Sequence, residues 1–238
     1  MRPNDEDLSR LQRDVPSRLE TAAGGKKPYI LACSGGIDGV VLADILAAGG
    51  YPPIAIAYID HGIRTPEEEA ADRAVVRRVA DRYDVPLAVE AIPGGVIRDE
   101  ARRCGEGVEA AARAARYRAL VRISSRFARG GEAPFLVTAH HRDDVVETVL
   151  MRVFSGRSPL EETGIPDVRV VAAADNGDGG GNGGDGGDNG GDGGDNGGDG
   201  GDNRNIGAGR DNGDGGSRRG VTVVRPLLGV SRRRIAAY

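Results

Sequence analysis

The sequence predicts an α/β fold, a doubly wound parallel sheet that ends in a β-hairpin, and three observations predict it. Short apolar, β-prone runs at Tyr29–Cys33, Ile54–Ile59, Leu87–Ile92 and Phe135–Ala139 are each followed by a longer segment of helical periodicity. That alternation builds βαβ units around a parallel sheet. The first run leads straight into Ser34-Gly35-Gly36-Ile37-Asp38-Gly39, a strand–turn–helix junction. After Pro166 the pattern changes to "DVRVVAAA" and later "VTVVRPLL", two β-like stretches suited to pairing as a hairpin.

Taken in order, Leu8, Leu11 and Val15 recur at helical spacing, so residues 1–28 read as a leader with a short amphipathic helix that stops before Pro16. The domain proper, 29–238, opens with the strand Tyr29–Cys33 and a helix over Asp38–Ala48, ended by a left-handed cap at Gly49-Gly50. The Ile54–Ile59 strand precedes a helix over Pro66–Tyr83, where Pro66 suits the first turn and the acids that follow suit the positive end of the helix dipole. Leu87–Ile92 supplies the third strand, followed by a helix over Val108–Arg129. Phe135–Ala139 supplies the fourth, followed by a helix over Asp143–Phe154. The closing "SRRRIAAY" starts like a helix and runs out at Tyr238, which reads as a fragment or a truncated gene.

Thirty-nine glycines among 238 residues concentrate in one segment, Asp175–Ser217, where Asp185–Gly191 and Asp192–Gly198 are identical copies of "DGGDNGG". Ile206 and Ala208 are its only apolar side chains, so burial has nothing with which to offset the entropy lost on ordering. The expectation is a flexible, disordered insert in the hairpin loop, where closure entropy rises only logarithmically with length. A calcium-binding β-helix would need a recurrent large apolar residue, which the repeat lacks. The insert carries ten Asp against Arg204 and Arg210, a net of −8, so the total of −4 leaves +4 on the remainder. Mild basicity suits a nucleotide or nucleic-acid partner without demonstrating one.

Cys33 and Cys104 stand apart with no CxxC pair, which disfavours a structural zinc or iron–sulfur site and suits a reduced, cytoplasmic chain. The N-terminus lacks the apolar core of a signal peptide, and no apolar run approaches the roughly 20 residues needed to span a bilayer.

The chemistry-bearing residues gather at strand ends. Glycines after the first strand let an anion approach the main chain where helix N–H groups converge. On chemistry alone, a phosphate cradle and a tight turn capped by Asp38 are equal readings. His61 and Arg64 follow the second strand, and His140, His141, Asp143 and Asp144 follow the fourth. Asp143 with Glu147, and Asp144 with Thr148, lie one helical turn apart. Glu109, Arg113 and Arg116 form one stripe of a helix, either as a solvated Glu–Arg pair or as a face for phosphate. In an open α/β sheet, loops at the carboxyl ends of strands beside a switch point form the ligand crevice.

Together these stretches resemble the N-terminal domain of the tRNA(Ile)-lysidine synthetase family, within the PP-loop ATP pyrophosphatases. The matching pieces, in family order, are "SGGIDG", the "HGIR" of "DHGIR", "EAAARAARY", "HRDDVVET", the "SG" of "RVFSGRSPLEETGIP" and "RPLLGVSR". The phosphate loop is shared with thiolases and other ATP pyrophosphatases, whereas the later motifs are more particular to the lysidine enzymes. The resemblance implies a Rossmann-like PP-loop (HUP) fold that uses ATP and Mg²⁺ to join L-lysine to C2 of the wobble cytidine in tRNA(Ile) with a CAU anticodon. It assigns Ser34, Gly35, Gly36, Ile37, Asp38, Gly39, His61, Arg64 and Arg116 to ATP, with Asp38 also at the metal. Asp38, Arg113, His141, Asp143 and Asp144 become the catalytic set. A homodimer is left open, and a tRNA thiolase or a nucleotide- or RNA-binding remnant without turnover are the alternatives.

Three departures stand out. Gly39 occupies the position of the family's serine, losing a hydroxyl whose bond to a phosphate oxygen is worth roughly 1.5–3 kcal/mol. Val145 stands where a glutamine is common, and the chain ends before the family's DxSN segment and C-terminal substrate domains. Deleting Asp175–Ser217 is expected to leave ATP affinity and thermal stability nearly unchanged. Calorimetric titration of the deletion variant checks this, and a large loss of either would show that the insert is no passive loop.

Overall fold

The computed structural model of the protein describes residues 5–105, 107–154, 165–171 and 220–238. The apolar runs become strands β1 (Tyr29–Ala32), β2 (Ala55–Asp60), β3 (Leu87–Ala91), β4 (Phe135–Thr138), β5 (Val168–Val171) and β6 (Val221–Val224). They form one sheet in the order β3-β2-β1-β4-β6-β5. Neighbours pair in parallel except the edge strand β5, which runs antiparallel to β6 with Val168 opposite Val224. The expected antiparallel pair is present, and β6 also pairs with β4, so it extends the main sheet. The insert at 175–217 and the Ser155-Gly156 pair lie outside the described residues.

Helices α1 (Asp5–Ala23), α2 (Ile37–Ala48), α3 (Pro66–Arg82), α4 (Val96–Cys104), α5 (Val108–Arg126), α6 (Arg142–Phe154) and α7 (Arg232–Ala237) complete the fold. Two cores flank the sheet. One gathers Leu42, Ile45 and Leu46 of α2, Val76 and Val79 of α3 and Ile235 of α7, while the other gathers Ile97 of α4 with Leu120 and Ile123 of α5. Strand β1 feeds both, Tyr29 and Leu31 entering the first and Ile30 the second. This is the period-two alternation of a strand covered on both faces.

Three details correct the sequence reading. The leader is not set apart, because Leu11, Val15 and Leu19 of α1 are buried in the first core, and the helix runs through Pro16 to Ala23. Proline has no N–H to offer the carbonyl one turn back, and Gly49 of the α2 cap packs against that Gln12 oxygen. A Cβ at Gly49 would lie 2.4 Å from both Gln12 O and Pro16 Cγ. Tertiary packing therefore explains the glycine, and the left-handed residue is Gly50 at φ +75 rather than Gly49. Helix α4 was not expected, since only Ile97 and Ala101 of its nine residues are buried, one turn apart. That pair is too short an apolar stripe to register as a period.

Among the described residues no helix is long and apolar enough to cross a membrane. Leu19→Ala, at a fully buried position, is expected to destabilise the protein by about 2–5 kcal/mol through lost burial and a residual cavity. Urea denaturation measures it, and a change no larger than that of the exposed Arg10→Ala would return α1 to the status of a detachable leader.

Candidate functional site

Strands β1 and β4 lie side by side, yet the chain leaves β1 towards β2 and β3 and leaves β4 towards β6 and β5. Divergent connections leave a crevice beyond the carboxyl ends of the two strands. A cavity of about 210 Å³ opens there. Ser34, Gly36, Asp38 and Gly39 reach it from β1, His61 from β2, His140 and Asp144 from β4, and Arg116 and Tyr117 from α5. Gly35, Ile37, Arg64, Arg113, His141 and Asp143, the other expected site residues, are not among the residues lining it.

The loop after β1 favours the cradle over the capped turn. Gly36 is the N-cap of α2, with extended backbone and no side-chain hydrogen bond to the helix, so Asp38 is not the cap. The first N–H groups of α2 thus have no side-chain acceptor, and an anion is their natural complement. Gly35 adopts φ +88, and a Cβ there would lie 3.0 Å from Asp72 O. Glycine is required by both conformation and space. Ile37 is half exposed on the outer side of the turn. Asp38 Oδ1 is buried without a hydrogen-bond partner, an acceptor aimed where a cation or a donor belongs.

At the end of β4 the paired acids divide their work. Asp144 Oδ2 accepts from the His141 backbone N–H at 2.7 Å and also faces the cavity. Asp143 Oδ2 instead accepts from the Arg232 N–H at 2.5 Å, which fastens the start of α7 to the start of α6. That bond holds the Asp143 carboxyl below the usual carboxylate range. His141 is buried behind them, with Nε2 at 3.7 Å from Asp38 and Nδ1 at 3.5 Å from Asp144 and 3.8 Å from Asp143. It therefore bridges the β1 and β4 loops from below the cavity floor.

The opposite wall is cationic. Arg113 and Arg116 do not pair with Glu109; their guanidinium carbons sit 5.5 and 5.7 Å from the centre of the Tyr117 ring. Arg225 is fully buried, donating to Pro166 O at 2.7 Å and to the Tyr117 hydroxyl at 3.0 Å. Burial pushes the tyrosine up, but Arg225 beside it, with Arg113 and Arg116, outweighs that and leaves it lowered. Sequence reading missed Arg225, whose place in "RPLL" looked like the tail of a strand. The signal was available as a lone charge in an otherwise apolar run. Arg64, expected at the ligand, is exposed and paired with Asp72 at 2.6 Å.

Burial and this wall together act on both cavity histidines. Burial lowers His61, and Arg116 lowers it further. Burial, followed by Arg225, Arg116 and Arg113, lowers His140 to about 4, and its Nδ1 lies 2.8 Å from Thr138 Oγ1. A neutral imidazole can accept as well as donate. The cavity thus presents backbone donors, arginine charge and two carboxylates to whatever enters it.

A family profile described as a PP-loop domain matches residues 8–175. The chain belongs to the PP-loop family. The matched span takes in the Ser34–Gly39 turn and most of α1, in keeping with that helix's place in the core. The chain is similar to the tRNA(Ile)-lysidine synthase of Thermus thermophilus, 39% identical over 145 residues that make up 60% of this chain and 27% of the relative. The enzyme of the same name from Methylobacterium nodulans is 40% identical over 151 residues, 62% of this chain and 39% of that one. The chain therefore spans well under half the length of these curated relatives. Among solved structures, U34-tRNA thiolase NcsA from Methanococcus maripaludis, with its 4Fe-4S cluster, superposes with a TM-score of 0.59 at 14% identity. The match covers 98% of this chain and 63% of the thiolase, a likeness of fold that does not favour a thiolase reading.

The lowered His140 gives a pH test. Its folded value of about 4 lies below the ordinary 6.5, so between these pH values the unfolded chain holds a proton that the folded one does not. Stability attributable to this group is full above about 6.5 and falls as pH drops through about 4. His140→Asn should flatten that part of the pH profile in urea melts. A His140 resonance titrating near 6.5 by NMR would contradict the assigned wall.

Proposed function

We propose that the chain is the ATP-using part of a tRNA(Ile)-lysidine synthetase. The observation that carries this reading is the convergence of the ends of β1, β2 and β4 on one cavity, with main-chain donors and carboxylates on one side and Arg116 on the other. The similarity to curated lysidine synthases supports the choice of reaction. In that reaction the C2 oxygen of the wobble cytidine attacks the α-phosphorus of ATP and pyrophosphate departs. The ε-amine of lysine then attacks C2, the C2–O bond breaks, AMP leaves and the amine gives up a proton.

The roles follow from placement. N–H groups of the Ser34–Gly39 turn hold the departing pyrophosphate without reorganising, since the backbone is already fixed. Arg116, with Arg113 and Arg225 behind it, offsets anionic charge at the far wall. His61 and His140, neutral at pH 7, bond to the nucleotide without adding charge. Asp144 at the cavity and His141 behind it order the lysine amine and the activated cytidine, while Asp143 keeps the loop in place through Arg232.

The residues present fit Mg²⁺ carried in by phosphate. Asp38 Oδ1 lacks a partner, and a phosphate-bound magnesium takes only one or two protein carboxylates, here Asp38 and Asp144. Among the described residues no group of three or more acidic, histidine or cysteine side chains is arranged as a metal cage. Magnesium would neutralise charge on the leaving pyrophosphate.

Incubated with ATP, tRNA(Ile) and lysine, the protein should release AMP and pyrophosphate only when all three are present. ADP as the sole nucleotide product would sink the proposal, and ATP binding without turnover would leave a nucleotide-binding module. Asp38→Asn is expected to weaken MgATP binding roughly ten- to hundredfold, the value of a bond to a charged group. Calorimetry reads this, and unchanged affinity would remove Asp38 from the site.

A further inference from the structure

The serine missing at position 39 leaves a gap in the motif but none in the structure. A Cβ built on Gly39 would lie 2.9 Å from Cys33 Sγ, 3.6 Å from Cys33 Cα and 3.7 Å from Cys33 Cβ. The space next to the loop is therefore filled from the other side, by a thiol at the end of β1. Both residues line the cavity together with Ser34, Gly36 and Asp38, and Cys33 is only 3% exposed.

We propose that Cys33 and Gly39 form a coupled pair, and that the Cys33 thiol is a positioning group of the phosphate cradle in place of a side chain at 39. The proposal rests on the reading of this cavity as a nucleoside triphosphate site. Its physical basis is steric. The sulfur is one bond from a buried strand-end Cβ, so it yields only by turning about χ1, and Cys33 belongs to the core that also holds Leu42 and Val76. A hydroxymethyl group at 39 cannot enter without turning that sulfur into the core or into the cavity. Overpacking of this kind costs stability or moves backbone, and the nearest backbone is the loop whose N–H groups would hold phosphate.

The chemistry suits an anion. Burial pushes the Cys33 thiol above its ordinary value, with the Gly35 N–H acting the other way. At neutral pH the group is a protonated thiol, which places no negative charge beside phosphate and offers a weak S–H donor. The pair thus keeps the cradle closed and adds no charge to it while giving up the stronger hydroxyl donor. It also revises a direct inference from the motif, in which Gly39→Ser alone would restore binding.

The test is a double-mutant cycle in the Cys104→Ala background, with MgATP as the titrant and melting temperature in its absence as a second readout. Gly39→Ser alone is expected to weaken MgATP binding about tenfold or more and to lower the melting temperature. Adding Cys33→Ala should restore the melting temperature and bring affinity to the wild-type value or tighter. In the parent background, iodoacetamide should label Cys33 slowly, and saturating MgATP should protect it. Gly39→Ala, which adds the Cβ alone, repeats the comparison should the serine variant fold poorly. Tighter binding by Gly39→Ser alone, or independent effects of the two substitutions on affinity, would overturn the proposal. So would coupled melting temperatures with unchanged affinity, which would confine the pair to packing. Wild-type protein that does not bind MgATP would overturn the nucleotide reading and with it the positioning role, while coupled melting temperatures would still reveal the steric pairing.

Discussion

The parallel pairing of β1 with β4 is the constraint on which the rest depends. Tyr29 aligns with Phe135 and Ala32 with Thr138, so the two strands end level and their following loops rise side by side. The strands are short, four residues each, and their side chains are divided between two cores. Neither strand can slip by one residue without exchanging its buried faces. The register that hydrophobic burial enforces is thus also the register that sets Ser34–Gly39 opposite Thr138–Asp144. Connections that diverge from the two strands keep the space between the loops free of a covering helix.

Charge is distributed across that space with a consistent sense. Carboxylates of Asp38 and Asp144 and the His141 ring stand at the β1 and β4 loops, while Arg116 and the buried Arg225 stand at the α5 side around Tyr117. Burying Arg225 carries a desolvation cost, and its two hydrogen bonds to Pro166 O and Tyr117 offset part of it. What remains is a positive field that, after burial itself, helps to hold both cavity histidines below their ordinary values. An anion entering the cavity meets fixed donors in a region already desolvated, where each interaction counts for more than it would in water.

The parts of this arrangement legible beforehand were those governed by local rules. Apolar runs flanked by helical periods located strands β1 to β4 to within a residue or two, and glycines at a strand end located the turn at the cavity. Other parts turned on contacts between distant segments. Arg64 and Arg116 both lie in basic motifs, yet Asp72 draws one to the surface while α5 carries the other inward. Asp143 and Asp144 are neighbours of the same type, and only the position of α7 decides that the first binds Arg232 N while the second faces the cavity. The leader's link to the core was hidden in Gly49, a glycine that local rules assign to a cap but that packing on Pro16 and Gln12 requires.

By itself the sequence determined the α/β class, the order of strands and helices along the chain, and the glycine turn whose surroundings point to the family, because periodicity and backbone freedom are properties of adjacent residues. Only the tertiary structure decided which charged groups face the cavity, that Arg225 is buried beside Tyr117, and that Cys33 lies against Gly39. Those outcomes are set by the distances and burial that arise when strand ends far apart in sequence are brought level. Glycine at position 39 thus reads as a departure in the motif and as close packing against Cys33 in the fold.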